Sequence, residues 1–213
     1  FQIQWKEVYR LIRDLALKEE ALWKQEYAIR SKWDKKPAML QLKKTAKEKV
    51  DLFQNTPVLY RKEEKYINPY QEGWESRYYD ILFPSNGVEK DSIIRNYLEG
   101  IEWVTHYYFN GIVDWSWKYL YHYPPLLKHL EMSISNMKFP ILPQKNNTKP
   151  VSAFTQLQYV LPPIYHHLLP KSILDLTDVS HTGLPLHENE LPNLEFQWAF
   201  CRYFWECHVK LPS

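Results

Sequence analysis

A mostly α-helical, irregular domain with an aromatic-rich core and long proline-punctuated loops is the fold this sequence predicts. Three observations point there. Apolar residues recur at three- and four-residue spacing over several stretches, the pattern of helices with one buried face. The 213 residues hold 15 Pro against 5 Gly, so proline, not glycine-rich loops, punctuates the chain. Nine Trp and sixteen Tyr supply large side chains for a core, and the length suits one domain or two small ones.

The elements follow in order. Residues 3–29 predict a long amphipathic helix with Trp5, Val8, Tyr9, Ile12, Leu15, Ala16, Leu22 and Trp23 on one stripe, interrupted by Glu19. Its expected work is bracing. Residues 30–54 carry seven Lys (Lys32, Lys35, Lys36, Lys43, Lys44, Lys47, Lys49) against Asp34, Glu48 and Asp51. A solvated helical face or linker is the expectation, with phosphate attraction the rival reading. We divide the chain there, into a helix plus basic segment (1–54) and the main helical region (55–213). Residues 55–72, with Pro57 and Pro69, predict a loop with one short helical turn. A short helix is expected over 74–83, closed by Pro84, with Asp91 or Ser92 capping the next helix.

That next helix opens the densest stretch, YLEGIEWVTHYYFNGIVDWSWKYLYHYPP from Tyr97 to Pro125, with three Trp and six Tyr. Ile94, Tyr97, Leu98, Ile101, Val104, Tyr107 and Tyr108 share helical spacing, and Asn110-Gly111 supplies a stop. An aromatic arm follows through Trp115, Trp117, Tyr119, Tyr121, His122 and Tyr123 into Pro124-Pro125. Residues 126–137 predict a short helix and 139–150 a surface loop. Ser152 is placed to cap a helix ended by Pro162-Pro163, and a further turn starts at Leu168-Leu169-Pro170. Residues 175–195 are expected to be loop. The apolar end, 196–209, does not separate helix from strand by period; helix is the expectation.

Composition and spacing exclude several chemistries. A net charge of +2 is too small to imply nucleic-acid binding without local clustering. No stretch approaches 18 apolar residues, so no membrane partner is expected. Two cysteines, Cys201 and Cys207, form no disulfide framework and fit a reducing, cytoplasmic or nuclear setting. The first residue is Phe and not Met, so a piece of a longer chain is the expectation. Glu99 with Glu102, and Glu188 with Glu190, lack the further carboxylates a two-metal nuclease needs. Adjacent His166-His167, and Cys201, Cys207 and His208, lack zinc spacing. No metal ligand and no catalytic residue is assigned in this chain, and His122 reads as a satisfied imidazole.

The string YLEG-x-x-WV-x-x-YY-x-x-G followed by W-S-W and YHY-x-P resembles the second conserved region of the Xrn/Rat-type 5′→3′ exoribonucleases. Gly73-Trp74-Glu75-Ser76-Arg77-Tyr78-Tyr79 is similar to that family's GW-x-x-RYY segment. Phe154-Thr155-Gln156-Leu157 with Val160-Leu161-Pro162 is similar to its F-x-QL-x-x-VLP segment. The resemblance makes Tyr97, Trp103, Tyr107, Tyr108, Trp115, Trp117, His122 and Tyr123 the aromatic core of the family motif. It implies an N-terminal nuclease region as partner, where magnesium and the pocket for the 5′ monophosphate reside, and single-stranded RNA as substrate. It also implies a tryptophan that stacks on the unpaired 5′ end. Trp198 is the candidate, equally readable as core, because the chain departs from the family after it. The short acidic loops and this departure suit a compact or viral member. The rival reading is a helical interaction or scaffold module with no nucleic-acid role.

Overall fold

Amphipathic periodicity becomes six α-helices among the described residues of this computed structural model, which are 2–32, 61–83, 89–142, 149–170 and 196–209. The expectations for the lysine-rich run beyond Lys32, the division at residue 54, residues 55–60, Pro84, and all of 175–195 with Glu188 and Glu190 lie outside them. The chain forms two compact units. The first comprises residues 1–113, 117–144 and 195–213; the second comprises 114–116 and 145–194.

Helix α1 (Trp5–Ser31) is 27 residues, about 40 Å long at 1.5 Å per residue. Its inward stripe runs through Trp5, Val8, Tyr9, Ile12, Trp23 and Arg30. Leu15 and Leu22, expected on that stripe, are exposed instead. Each lies three residues after an inward position and falls on the flank, since the stripe continues through Ala16 and Glu19.

Helix α2 (Lys62–Ile67) is longer than the single turn expected, and α3 (Trp74–Leu82) follows after a tight loop. Arg77 closes that loop, donating to the carbonyls of Tyr66, Ile67, Asn68, Gln71 and Glu72 at 2.8–3.3 Å. Gly73 precedes α3 with φ +74°, a conformation that favours glycine.

Helix α4 (Lys90–Phe109) begins one residue before Asp91, with Glu89 at the N-cap position and no side-chain cap. Neither Asp91 nor Ser92 caps it; both already lie inside the first turn. It ends at Asn110, and Gly111 takes φ +89° as the sequence predicts. The arm after it has no regular secondary structure up to α5 (Leu127–Ile134). In the second unit, Ser152 accepts the Thr155 N–H and caps α6 (Ala153–Val160). A 3₁₀ turn, Pro163–Leu168, ends where a new turn was expected to begin.

Two apolar clusters fill the first unit. One joins Ile67, Trp74, Tyr78, Leu82, Ile93, Leu126 and Ala199, with Trp23 and Phe200 packed on it. The other joins Ile12, Ile94, Leu98, Leu130 and Ile134, with Trp5, Val8 and Tyr9 against it. Helix α1 therefore reaches both. The chain end is not helical: β1 (Phe196–Gln197) and β2 (His208–Val209) pair antiparallel, with a 3₁₀ turn, Phe204–Glu206, between them. Phe200 at φ +63° turns the backbone back before a helix can propagate.

Candidate functional site

The family-like motif reads, side chain by side chain, as a frame built on α4. Leu98 points into the core and is fully buried. Gly100 leaves room for Trp117, whose Cη2 lies 2.8 Å from where a Cβ would stand. Trp103 stacks on Trp117 at 5.6 Å and on Tyr107 at 5.6 Å, so three rings run along one face. Glu102 is buried, and one carboxylate oxygen accepts the N–H groups of Ile141 and Leu142 at 2.8 and 3.0 Å. Glu99 accepts from Arg95 and Asn96 nearer the surface.

The arm has no ladder and ends in two prolines, so its backbone groups turn to side chains for partners. Tyrosine hydroxyls and an amide supply them. Tyr78 donates to the Pro124 carbonyl at 2.8 Å, Tyr119 to Tyr123 at 2.6 Å, and Tyr79 accepts the Leu126 N–H at 3.0 Å. Asn96 Oδ1 accepts the Leu120 N–H at 2.9 Å. Burial raises the hydroxyl pKa of Tyr78, Tyr79, Tyr119 and Tyr123 far above its ordinary value, so these groups remain protonated. Each such bond contributes about 1 kcal/mol net, and leaving the buried partner bare costs more.

The motif residues divide by surroundings. Tyr123 is buried; Tyr97, Trp103, Trp117 and His122 are half-buried. Tyr107 is half-exposed and Tyr108 is 74% exposed, with Val104 and Phe109 beside them in sequence also exposed. Trp115 belongs to the second unit and is exposed. Tyr97 meets Tyr119 edge to face, and His122 lies parallel to His208 with centroids 4.8 Å apart. Burial first, then the charge of His122, lowers the His208 pKa.

Trp198 opens a four-residue turn closed by the Cys201 N–H on its carbonyl at 3.0 Å. Its indole is half-buried, 5.8 Å from Phe196. Positive φ at the third position is the type II pattern, which favours glycine, yet Phe200 stands there. The ring gives the reason, meeting Trp23 at 4.8 Å and also Tyr78 and Tyr123. Beneath the turn lies a buried charge cluster that sequence reasoning missed. Glu64 accepts from Arg30 at 2.6 and 2.8 Å and from Arg61 at 2.6 Å. Arg30 opens the stretch expected to be solvated, yet is only 3% exposed, and Glu64 is 1% exposed. Burial alone would push the Glu64 carboxyl up, but the hydrogen bonds from Arg30 and Arg61 outweigh it and hold it below its ordinary value. The one sequence signal was the Arg61–Glu64 spacing of three residues; nothing local marks Arg30 as their partner.

No group of three or more His, Cys, Asp or Glu among the described residues is placed to hold a metal ion. Cys201 donates to the Glu206 carbonyl, and burial pushes its thiol up to about 11, the reverse of an activated nucleophile. His166 is turned onto the Leu161 carbonyl and His167 is exposed. Among the described residues, no helix is long and apolar enough to cross a membrane.

Comparison with known proteins adds the following. The family model described as the Xrn1 helical domain matches residues 24–213. The 5′-3′ exoribonuclease 2 of Arabidopsis thaliana is 30% identical over 178 residues, covering 81% of this chain and 16% of that protein. The enzyme of the same name from Aspergillus fumigatus is 34% identical over 113 residues, 52% of this chain and 10% of its own. The 5′-3′ exoribonuclease 1 of Saccharomyces cerevisiae is 31% identical over 144 residues, 63% of this chain and 9% of its own. The chain thus spans less than a fifth of the length of these relatives.

Proposed function

Because this chain belongs to the Xrn1 helical-domain family, we propose that it serves as the helical wall of a 5′→3′ exoribonuclease. In this reading it packs on an N-terminal nuclease region of the same protein and shapes the channel that admits single-stranded RNA with a 5′ monophosphate. Magnesium is held by carboxylates of that other region, and the cytoplasm or nucleus is where the enzyme works. The residues described here contribute shape and stacking, not the cleavage step.

The observation that carries the proposal is the turn at Trp198. A half-buried indole on a backbone pinned from below is a platform on which a base can stack without the platform moving. Such stacking contributes roughly 1–3 kcal/mol per base and tolerates any sequence. The test is tryptophan fluorescence during titration with 5′-phosphorylated single-stranded RNA at rising salt, for the wild-type chain and Trp198→Phe. Quenching that weakens with salt and diminishes in the variant is expected. Quenching equal in both proteins would remove Trp198 from the role.

The exposed end of α4 favours a second reading. Val104, Tyr107, Tyr108 and Phe109 leave apolar surface uncovered, the kind of surface that docks proteins. A chain that ignores RNA at low salt but binds a protein through these residues would be an interaction or scaffold module.

A further inference from the structure

We infer that Glu64 is the positioning residue for Trp198. The inference rests on the stacking role proposed above and names what sets the indole's place. One Glu64 oxygen accepts the Phe200 N–H at 2.9 Å, while the Arg30 guanidinium paired with Glu64 donates to the Cys201 carbonyl at 2.8 Å. The Tyr123 hydroxyl donates to the Ala199 carbonyl at 3.1 Å. Three successive residues of the turn are therefore held through their backbones by buried side chains, two of which form one ion pair.

Direction matters here. Phe200 sits at φ +63°, a conformation its own backbone does not favour, so the surroundings over-determine it. Apolar packing could fill the same space and is often as stable as a buried ion pair. It could not grip an N–H and a carbonyl on the two residues that close the turn. The carboxylate and guanidinium do both at once. Because the Cys201 N–H returns to the Trp198 carbonyl, fixing residues 199–201 fixes where Trp198 starts.

The test uses the 213-residue chain labelled with 5-fluorotryptophan, in which Trp198→Phe assigns the Trp198 resonance. Glu64→Gln is expected to displace that resonance while those of Trp103 and Trp117 hold, and to weaken single-stranded RNA binding about tenfold. Glu64→Gln combined with Trp198→Phe should bind no more weakly than Trp198→Phe alone. Should Glu64→Gln fail to fold, Glu64→Asp keeps the charge but withdraws it from the Phe200 N–H, and the same displacement is expected. An unmoved Trp198 resonance, or affinity losses that add in the double variant, would overturn the positioning role. Unchanged RNA binding by Trp198→Phe would instead overturn the stacking reading, leaving the resonance to judge the positioning.

Discussion

Gly100 shows how one missing atom organises a motif. In an exposed helix interior, Gly→Ala commonly gains about 1 kcal/mol of helix propensity. Here the added Cβ would meet Trp117 at 2.8 Å, and that ring is already stacked on Trp103. Gly100→Ala is therefore expected to destabilise by roughly 1–3 kcal/mol, the usual cost of overpacking. Urea denaturation followed by near-ultraviolet dichroism of the tryptophans measures it; a stabilised variant would show that Trp117 yields freely. The glycine and both tryptophans were visible in the motif. Their contact was not, because Gly100 and Trp117 lie 17 residues apart across an irregular arm.

Between elements, carboxylates do the joining. Glu19 interrupts the apolar stripe of α1, and its two oxygens accept the Leu127 and Lys128 N–H groups at 2.7 and 3.0 Å. It thus caps α5 from another helix, where free N–H groups and the helix dipole favour a negative charge. Glu19→Ala should cost about 1–2 kcal/mol, the scale of a lost N-cap, seen as a lower denaturation midpoint. Glu64 links α1, α2 and the terminal ribbon and carries a pH signature. Its carboxyl titrates below 4.5 when folded and near that value when unfolded, so its stabilisation is present above about pH 4.5 and drains as pH falls through the folded value. His129 and His208 have lowered pKa values, chiefly through burial, so the unfolded chain gains protons first and stability starts falling below about pH 6.5. Denaturation midpoints between pH 8 and pH 3 should decline in these two steps. Glu64→Gln should keep the first and flatten the second; a retained second step would assign it elsewhere.

At the scale of the whole molecule, buried polar groups among the described residues hold an irregular aromatic arm and a two-stranded ribbon, and no group of three or more metal-ligating side chains is placed together among them. The purified chain, given magnesium and 5′-phosphorylated RNA, is expected to release no nucleotides above background. Magnesium-dependent mononucleotide release that survives repurification would place a nuclease site within these 213 residues.

The sequence by itself determined the helical class, the stop at Asn110-Gly111, the Ser152 cap and the family motif. These depend on periodicity and on residues within a turn of one another, which a linear reading preserves. Only the tertiary structure decided that Glu19 is a cap, that Arg30 is buried, that Phe200 takes a left-handed turn, and that the chain end is a ribbon instead of a helix. The first three follow from partners far along the chain: Glu19 to Leu127 spans 108 residues, Arg30 to Glu64 spans 34, and Glu64 to Phe200 spans 136. A polar side chain looks solvated in sequence until the fold brings it the one neighbour that makes burial favourable.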